Sequence, residues 1–523
     1  MRALLSVSDL DGLVAFARGL SEMGWELIAT DGTRAALLSE GIEARSVEDV
    51  TGQPALLGGR VKTLHPRIHA AVLARRDDET HKAELAREKI EPIDLVAVNL
   101  YPFTKSASAG KRGAELQEHI DIGGVTLLRA AAKNYQDVVV VSRPHRYQAV
   151  LDELRERGSV SLETRRMLAA EAFSHTAGYD AAIASRFVAD AGISFPDEMT
   201  LALRKVRDLR YGENPHQQAA FYALRGEEDA AMVAMEQIAG KAASFNNMLD
   251  INAAWRIASD FTQPTVAIVK HQNPCGIASE LDITAAYRRA FMCDSVSAFG
   301  GIVGANRPVT KELAEAMQDT FYEAIIAPSY DEDALPLLRQ RKNLEIISVP
   351  NAMVPDPRGG GRRPHLRRGD AHAIDVKRVA GGLLVQTPDE TVAEEGNFKV
   401  VTERTPTLEE LTDLIFAWRC VRHVTSNAIV LAKGLATVGV GPGQLSRVVA
   451  VEVAVRKAGE NARLAVMASD AYFPFPDGIE VAARAGVTAI IQPGGSLRDA
   501  MMIDTANKHR MAMLFTGRRH FKH

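Results

Sequence analysis

Cysteine is scarce in this chain: three in 523 residues, Cys275, Cys293 and Cys420. An odd count with no C-x-x-C pair excludes a disulfide framework and an all-thiolate zinc site, and free thiols fit a reducing compartment. Charge of one sign is equally scarce, with a formal net charge of -4 and a pI near 6.4. Without a global basic field, neither a nucleic acid nor an anionic membrane is an expected partner, and any anionic ligand must be held by local groups. No uninterrupted apolar run is long enough to span a bilayer, and the apolar stretch after Met1 is too short for a signal-peptide core, so a cytoplasmic address is expected. No convincing short-period repeat is found.

What is present is a composition 46% hydrophobic and 24% charged, enough to bury large cores and to divide into about three domains. Ala3 to Val7 reads as a strand, Leu13, Phe16, Ala17 and Leu20 as one face of a helix, and Leu27 to Ala29 as a second strand. Leu95 to Val98 and Val138 to Val141 are near-continuous apolar runs, as in a parallel sheet covered on both faces. An α/β domain over residues 1–196 is expected, ending where periodicity lapses around Phe195-Pro196-Asp197-Glu198. Residues 197–523 again alternate strands (Val266 to Val269, Ala428 to Leu431, Ala489 to Ile491) with helices, predicting two more α/β units. A Gly- and Arg-rich loop near 356–372 lies between them and reads most simply as solvated.

Several clusters could carry chemistry. Val269-Lys270-His271 ends a strand, with Pro274 and Gly276 expected to turn the chain; an imidazole can relay a proton and an ammonium can stabilise an oxyanion. A surface accident is the bland alternative. Leu209 to Gln217 crowds Arg210, Tyr211 and His216 around turn residues, as a ligand loop or a polar connection. Thr425-Ser426-Asn427, the glycines before Arg447, and Asp470 to Phe475 offer a close backbone approach, a bidentate cation and an aromatic wall including Phe473; turns and core packing are the ordinary readings. Nearer the start, Gly58 to Pro66 supplies Arg60, Lys62 and Thr63, while Gly32 and Thr33 begin a helix whose free N–H groups suit phosphate. Asp121 and Gly124 are separated by a helix from Lys133, by itself an ordinary helix-end lysine.

The ordered stretches SVSD, GGRVKTLHP, NLYPF, DIGGVTLLRAAAKN, RYGENPHQ, VKHQNPCG, SAFGG, SNAIVLAK, MASDAYFPF, AIIQPGG and GRRHFKH cover nearly the whole chain. The sequence thereby resembles the bifunctional family that formylates 5-aminoimidazole-4-carboxamide ribonucleotide (AICAR) and closes the product (FAICAR) to inosine monophosphate (IMP). The resemblance implies a methylglyoxal-synthase-like parallel-sheet domain followed by a transformylase of two cytidine-deaminase-like units, working as a homodimer. It implies 10-formyltetrahydrofolate as co-substrate, no tightly bound cofactor, and a monovalent cation such as potassium as an option. Carried over by motif, Lys270, His271 and Asn427 serve formyl transfer. Arg210, Tyr211, His216, Arg519 and His523 place the ribonucleotide, and Arg447, Asp470, Phe473 and Pro493 lie near the folate or an interface. For ring closure the pattern points to Lys62, Tyr101, Asp121 and Lys133, with Arg60, Thr63, Gly32, Thr33, Asn99 and Gly124 around the nucleotide.

Two departures fall in the expected phosphate pocket of the first domain, where Leu10 stands for the family's lysine and Asp31 for its glycine. An ammonium is lost and a carboxylate gained, which predicts weaker nucleotide binding unless Arg60 and Lys62 compensate, and keeps a nucleotide-sensing role in view. Pro442 stands where the family often has alanine. A zinc deaminase is the enzymatic rival, but Asn273 and Ala278 stand where its H-x-E and P-C-x-x-C patterns need Glu and Cys, so no metal is expected.

Overall fold

The computed structural model describes residues 1–227, 230–350, 374–389 and 398–523, so the Gly- and Arg-rich loop lies outside the described residues. The chain forms two compact units, Met1–Arg204 with Leu224–Gly226, and Lys205–Ala223 with Glu227–His523.

In the first unit β1 (Arg2–Val7), β2 (Glu26–Ala29), β3 (Arg45–Ser46), β4 (Leu95–Asn99) and β5 (Val139–Val141) form one parallel sheet in the order β3-β2-β1-β4-β5. All five residues of β4 are buried, as a central strand covered by helices on both faces requires. The helix Leu13–Glu22 turns Leu13, Phe16, Ala17 and Leu20 into the core, where Phe16 stacks on Tyr147 with ring centroids 4.3 Å apart.

β6 (Leu203–Leu209) and β7 (Ala219–Leu224), most of whose residues fall in the second unit, pair as a ribbon. A six-stranded sheet then takes the order β10-β9-β11-β12-β13-β8, from β8 (Glu236–Ala239), β9 (Thr265–Lys270), β10 (Asn273–Ser279), β11 (Gly301–Ala305), β12 (Tyr322–Ala327) and β13 (Glu345–Ser348). After the hairpin β14 (Asp375–Val379) and β15 (Gly382–Gln386), a second sheet is built from β16 (Lys399–Val400), β17 (Ile429–Ala432), β18 (Thr437–Gly441), β19 (Val466–Ser469), β20 (Ala489–Gln492) and β21 (Ala512–Phe515), in the order β16-β21-β20-β19-β17-β18. Read from their hairpins, the two sheets run identically: antiparallel, antiparallel, parallel, parallel, antiparallel. The unit is an internal duplication that the residues no longer spell out.

Each sheet is preceded or crossed by a helix of 14 residues, Phe245–Ala258 and Leu408–Val421. Ser244 caps the first by accepting from the Asn247 N–H, and Thr407 caps the second in a box with Glu410. The two helices share one core containing Ile251, Trp255, Leu414 and Trp418. The outer hairpin strands meet at an Ala278–Ala436 bridge, and the Thr437 hydroxyl is within 2.9 Å of the Ile277 N–H that donates to it.

Candidate active sites in the two units

In the second unit β9 ends at Lys270 and β10 begins at Asn273, so a two-residue turn carries His271 and Gln272 with φ of 56° and 62°. This corrects the expectation that Pro274 and Gly276 turn the chain: both are buried inside β10. Left-handed backbone at two non-glycine residues is unfavourable, and here each backbone N–H and carbonyl of the pair has a partner. Asp250, on the helix Phe245–Ala258, accepts the His271 N–H at 3.0 Å and the Gln272 N–H at 2.6 Å. The His271 carbonyl accepts from Asn273 Nδ2 at 3.1 Å, and the Gln272 carbonyl from Lys522 Nζ at 3.1 Å. Burial raises the Asp250 pKa against the pull of those two amides, and burial also pushes the Lys522 ammonium down to about 8.

The same turn gathers motifs remote in sequence. Asn273 Oδ1 accepts the Thr425 N–H at 2.9 Å, joining the turn to the segment that holds Asn427. The chain end is tied in by Lys522, whose carbonyl accepts the Ser426 N–H at 2.9 Å and whose ammonium also reaches the His423 carbonyl at 2.7 Å. There the Arg519 guanidinium lies 4.3 Å from the centre of the Phe521 ring, and that ring meets His523 edge-on. Lys270 Nζ donates to the Phe299 carbonyl at 2.7 Å. The Arg210–Tyr211 loop docks on the N-terminus of the helix that bears Asp250: the Tyr211 carbonyl accepts from Phe245 N, and Asn246 Nδ2 reaches the Glu213 carbonyl at 3.1 Å. Arg210 donates to the Tyr211 hydroxyl at 2.9 Å and lies over its ring; His216 is exposed on the same loop.

Arg447, Asp470 and Phe473, expected near the folate or an interface, are buried: they are 6%, 0% and 1% exposed. Phe473 packs in the core beneath the second sheet, and the Arg447 guanidinium is spent on Ser469, Asp470 and the Asn427 Oδ1, the last at 2.8 Å. Arg447, anchored by Asp470, thereby holds the Asn427 amide oxygen. Asn427 Nδ2 donates to the Gln444 carbonyl at 2.8 Å, which fixes the amide orientation. Pro493 is also buried.

In the first unit, Asp121 Oδ1 accepts the Gly124 N–H at 2.7 Å and its own N–H donates to the Tyr179 hydroxyl at 2.8 Å. A Cβ on Gly124 would press within 2.7 Å of that carboxylate, so a larger residue there would have to displace Asp121. Desolvation raises the Asp121 pKa. Thr63 adjoins this cluster through Gly123, and Tyr101 presents an exposed side chain beside it. Lys62 Nζ sits 3.5 Å from Asp31, and Arg60 pairs with Glu118. Thr33 and Asn99, expected around the nucleotide, bond the backbone at the end of β1 and in the loop after it. Thr33 Oγ1 accepts from Val7 N at 3.0 Å, while Asn99 Oδ1 accepts from Ser8 N and Asp9 N at 2.6 and 2.8 Å, shaping the loop after β1. Gly32 is exposed in the first turn of Asp31–Ser39. Lys133 is not gathered in: it closes the helix Gly123–Lys133, roughly 15 Å along the axis from the Asp121 end, and its side chain is exposed.

Among the described residues no group of three or more His, Cys, Asp or Glu side chains could hold a metal ion, and no helix is long and apolar enough to cross a membrane.

A parallel-sheet unit with a carboxylate at a helix start, followed by a duplicated unit with a Lys-His turn, defines a two-site α/β enzyme. Residues 12–126 match the model of the MGS-like domain and residues 131–457 that of the AICARFT/IMPCHase bienzyme. The "Bifunctional purine biosynthesis protein PurH" of Acetivibrio thermocellus is 48% identical over 100% of this chain and 99% of its own length, and that of Ruminiclostridium cellulolyticum is 47% identical over the same shares. The chain belongs to the AICARFT/IMPCHase bienzyme family. It is an AICAR formyltransferase and an IMP cyclohydrolase, and it catalyses the last two steps of de novo purine biosynthesis.

Proposed function

We propose that formyl transfer takes place at the Lys270–His271 turn and ring closure at the Asp121 cluster. The observation that carries the first assignment is the convergence on one turn of three remote segments: Thr425 to Asn427, the chain end at Lys522, and the helix Phe245–Ala258. The amine of AICAR is a weak nucleophile because its lone pair delocalises into the ring. As its nitrogen bonds to the formyl carbon of 10-formyltetrahydrofolate, His271 removes the amine proton and returns it to the departing folate nitrogen. Lys270 and Asn427 hold the oxyanion and the carboxamide, and Arg210, Tyr211, His216, Arg519 and His523 place the ribonucleotide.

Ring closure is intramolecular: the carboxamide nitrogen attacks the formyl carbon and water leaves, so positioning and proton management suffice. Asp121, Tyr101 and Lys62 do this, with Thr63, Arg60, Gly32 and Gly124 around the nucleotide. Lys133, exposed at the far end of the helix Gly123–Lys133, is proposed as the fourth ring-closure group on the strength of the resemblance.

The working protein is proposed to be a cytoplasmic homodimer, with potassium as an accessory cation on the strength of the resemblance alone; no step is routed through that ion. The deciding experiment supplies AICAR and 10-formyltetrahydrofolate and identifies products. Wild type yields IMP, His271→Ala yields no formylated product, and Asp121→Ala accumulates FAICAR. Unimpaired formyl transfer by His271→Ala sinks the first assignment.

A further inference from the structure

The duplication repeats more than strand order. In the second sheet the β17–β18 hairpin turns at Gly434 and Leu435, with φ of 58° and 59°, the same left-handed pair as at His271 and Gln272. Both of its amides are accepted by one carboxylate, Asp413, at 2.7 Å each. Asp413 and Asp250 occupy the sixth position of their 14-residue helices, and each lies 21 residues before the first amide it binds. The turn carbonyls are held differently: Arg289 takes those of Lys433 and Gly434, whereas Lys522 takes that of Gln272, the counterpart of Leu435. The fold therefore contains the same amide-side clamp twice. One copy holds a glycine-bearing turn with no imidazole, the other a turn with no glycine that carries His271.

We propose that Asp250 and Lys522 are positioning residues for formyl transfer, clamping the His271–Gln272 turn from its amide side and its carbonyl side so that the imidazole is presented from a fixed left-handed backbone. This rests on the assignment of His271 made above. The clamp matters more in the first copy, because neither histidine nor glutamine prefers positive φ, whereas Gly434 accepts it at no steric cost. Two charge-assisted hydrogen bonds from one carboxylate offset that preference. The ammonium of Lys522, enclosed and with its pKa lowered by burial, closes the other side. Lys522 also brings the chain end to the turn, so one side chain fixes both Gln272 and the Arg519–His523 segment.

The matched clamps provide their own control. Asp250→Asn keeps the shape but sets an amide N–H₂ against one turn N–H. It should lower kcat for formyl transfer by about 10- to 100-fold, the effect of misplacing a catalytic group by about an ångström, with the KM for AICAR changing about twofold at most. Asp413→Asn should cost comparable thermal stability yet leave that kcat within about twofold. Adding Gln272→Gly to Asp250→Asn should restore several-fold of the lost kcat, because glycine relieves the backbone the carboxylate had stabilised. Lys522→Met should lower formyl transfer about tenfold or more while the conversion of supplied FAICAR to IMP is unchanged. This last variant keeps the proposal testable if Asp250→Asn does not fold. An undiminished kcat in folded Asp250→Asn or in Lys522→Met, or an equal loss of kcat in Asp413→Asn, overturns the clamp. Full activity of His271→Ala overturns the assignment beneath it instead.

Discussion

Arg447 donates to Asp470 across 2.6 Å at a position where neither side chain has meaningful solvent access, and the other arm of the same guanidinium holds Asn427. Removing one member of a buried ion pair strands the other charge, a loss of about 3–5 kcal/mol. Asp470→Asn is therefore expected to lower the melting temperature, and Arg447→Lys, through the released Asn427 amide, to lower formyl transfer. Lysine lacks the second arm that reaches Asn427, so it should not restore activity. Thermal melts combined with AICAR formylation rates check this; an Arg447→Lys enzyme of wild-type rate would count against it.

Asp31 lies in the first turn of the helix Asp31–Ser39 and draws Lys62 to 3.5 Å. A carboxylate there favours the helix dipole but opposes a nucleotide phosphate, and it occupies the cation meant to answer that phosphate. Asp31→Gly should tighten IMP binding several-fold, within the roughly 1 kcal/mol that an exposed ion pair commands. Calorimetric titration with IMP measures it, and equal affinities would show that Lys62 already swings free.

Glu345 is fully buried in β13, with Asn247 Nδ2 on one oxygen at 2.6 Å and no partner for the other. Burial pushes its carboxyl up from 4.5 to about 7. Between those values the native protein keeps a proton that the unfolded chain releases, so this group's contribution to stability falls as pH rises through the window and is lowest above it. The full effect is on the order of 3 kcal/mol. Glu345→Gln should flatten that decline and exceed wild type in stability at about pH 8; parallel urea midpoints for the two proteins across the window would refute it.

The three cysteines are buried, and burial lifts the Cys275 and Cys293 thiols to about 12 and about 11, with Cys420 also well above its ordinary value. Thiolate is the reactive form, so native protein should resist alkylation at about pH 8 and be modified at all three sites only in denaturant. Mass spectrometry counts the adducts.

Apolar strands were legible in the chain because buried strands read as unbroken runs: Leu95 to Val98 and Val266 to Val269 lie where their residue types put them. Lys270 and His271 were legible as a pair at a strand end. Their turn was misplaced because Pro274 and Gly276 are the stronger local turn signals, whereas the real turn is imposed by a tertiary contact on residues that avoid its backbone. Asp250 left no local signal, since an acid on a half-exposed helix face is ordinary; only its spacing to the turn, repeated by Asp413 and Gly434, could have marked it. The surroundings of Arg447 and Phe473 were not legible, because a cation and an aromatic near glycines look alike whether they face a ligand or a core. Burial separates the two, and burial is a property of the assembled sheets.

The paired hairpins have a consequence for how this protein can change. A seat moulded independently of its occupant lets substitutions at the occupant register mainly in turnover, while folding is governed from a helix 21 residues upstream. The vacant twin at Gly434 is thus a ready-made mount on which a new reactive side chain could be installed without rebuilding the scaffold around it.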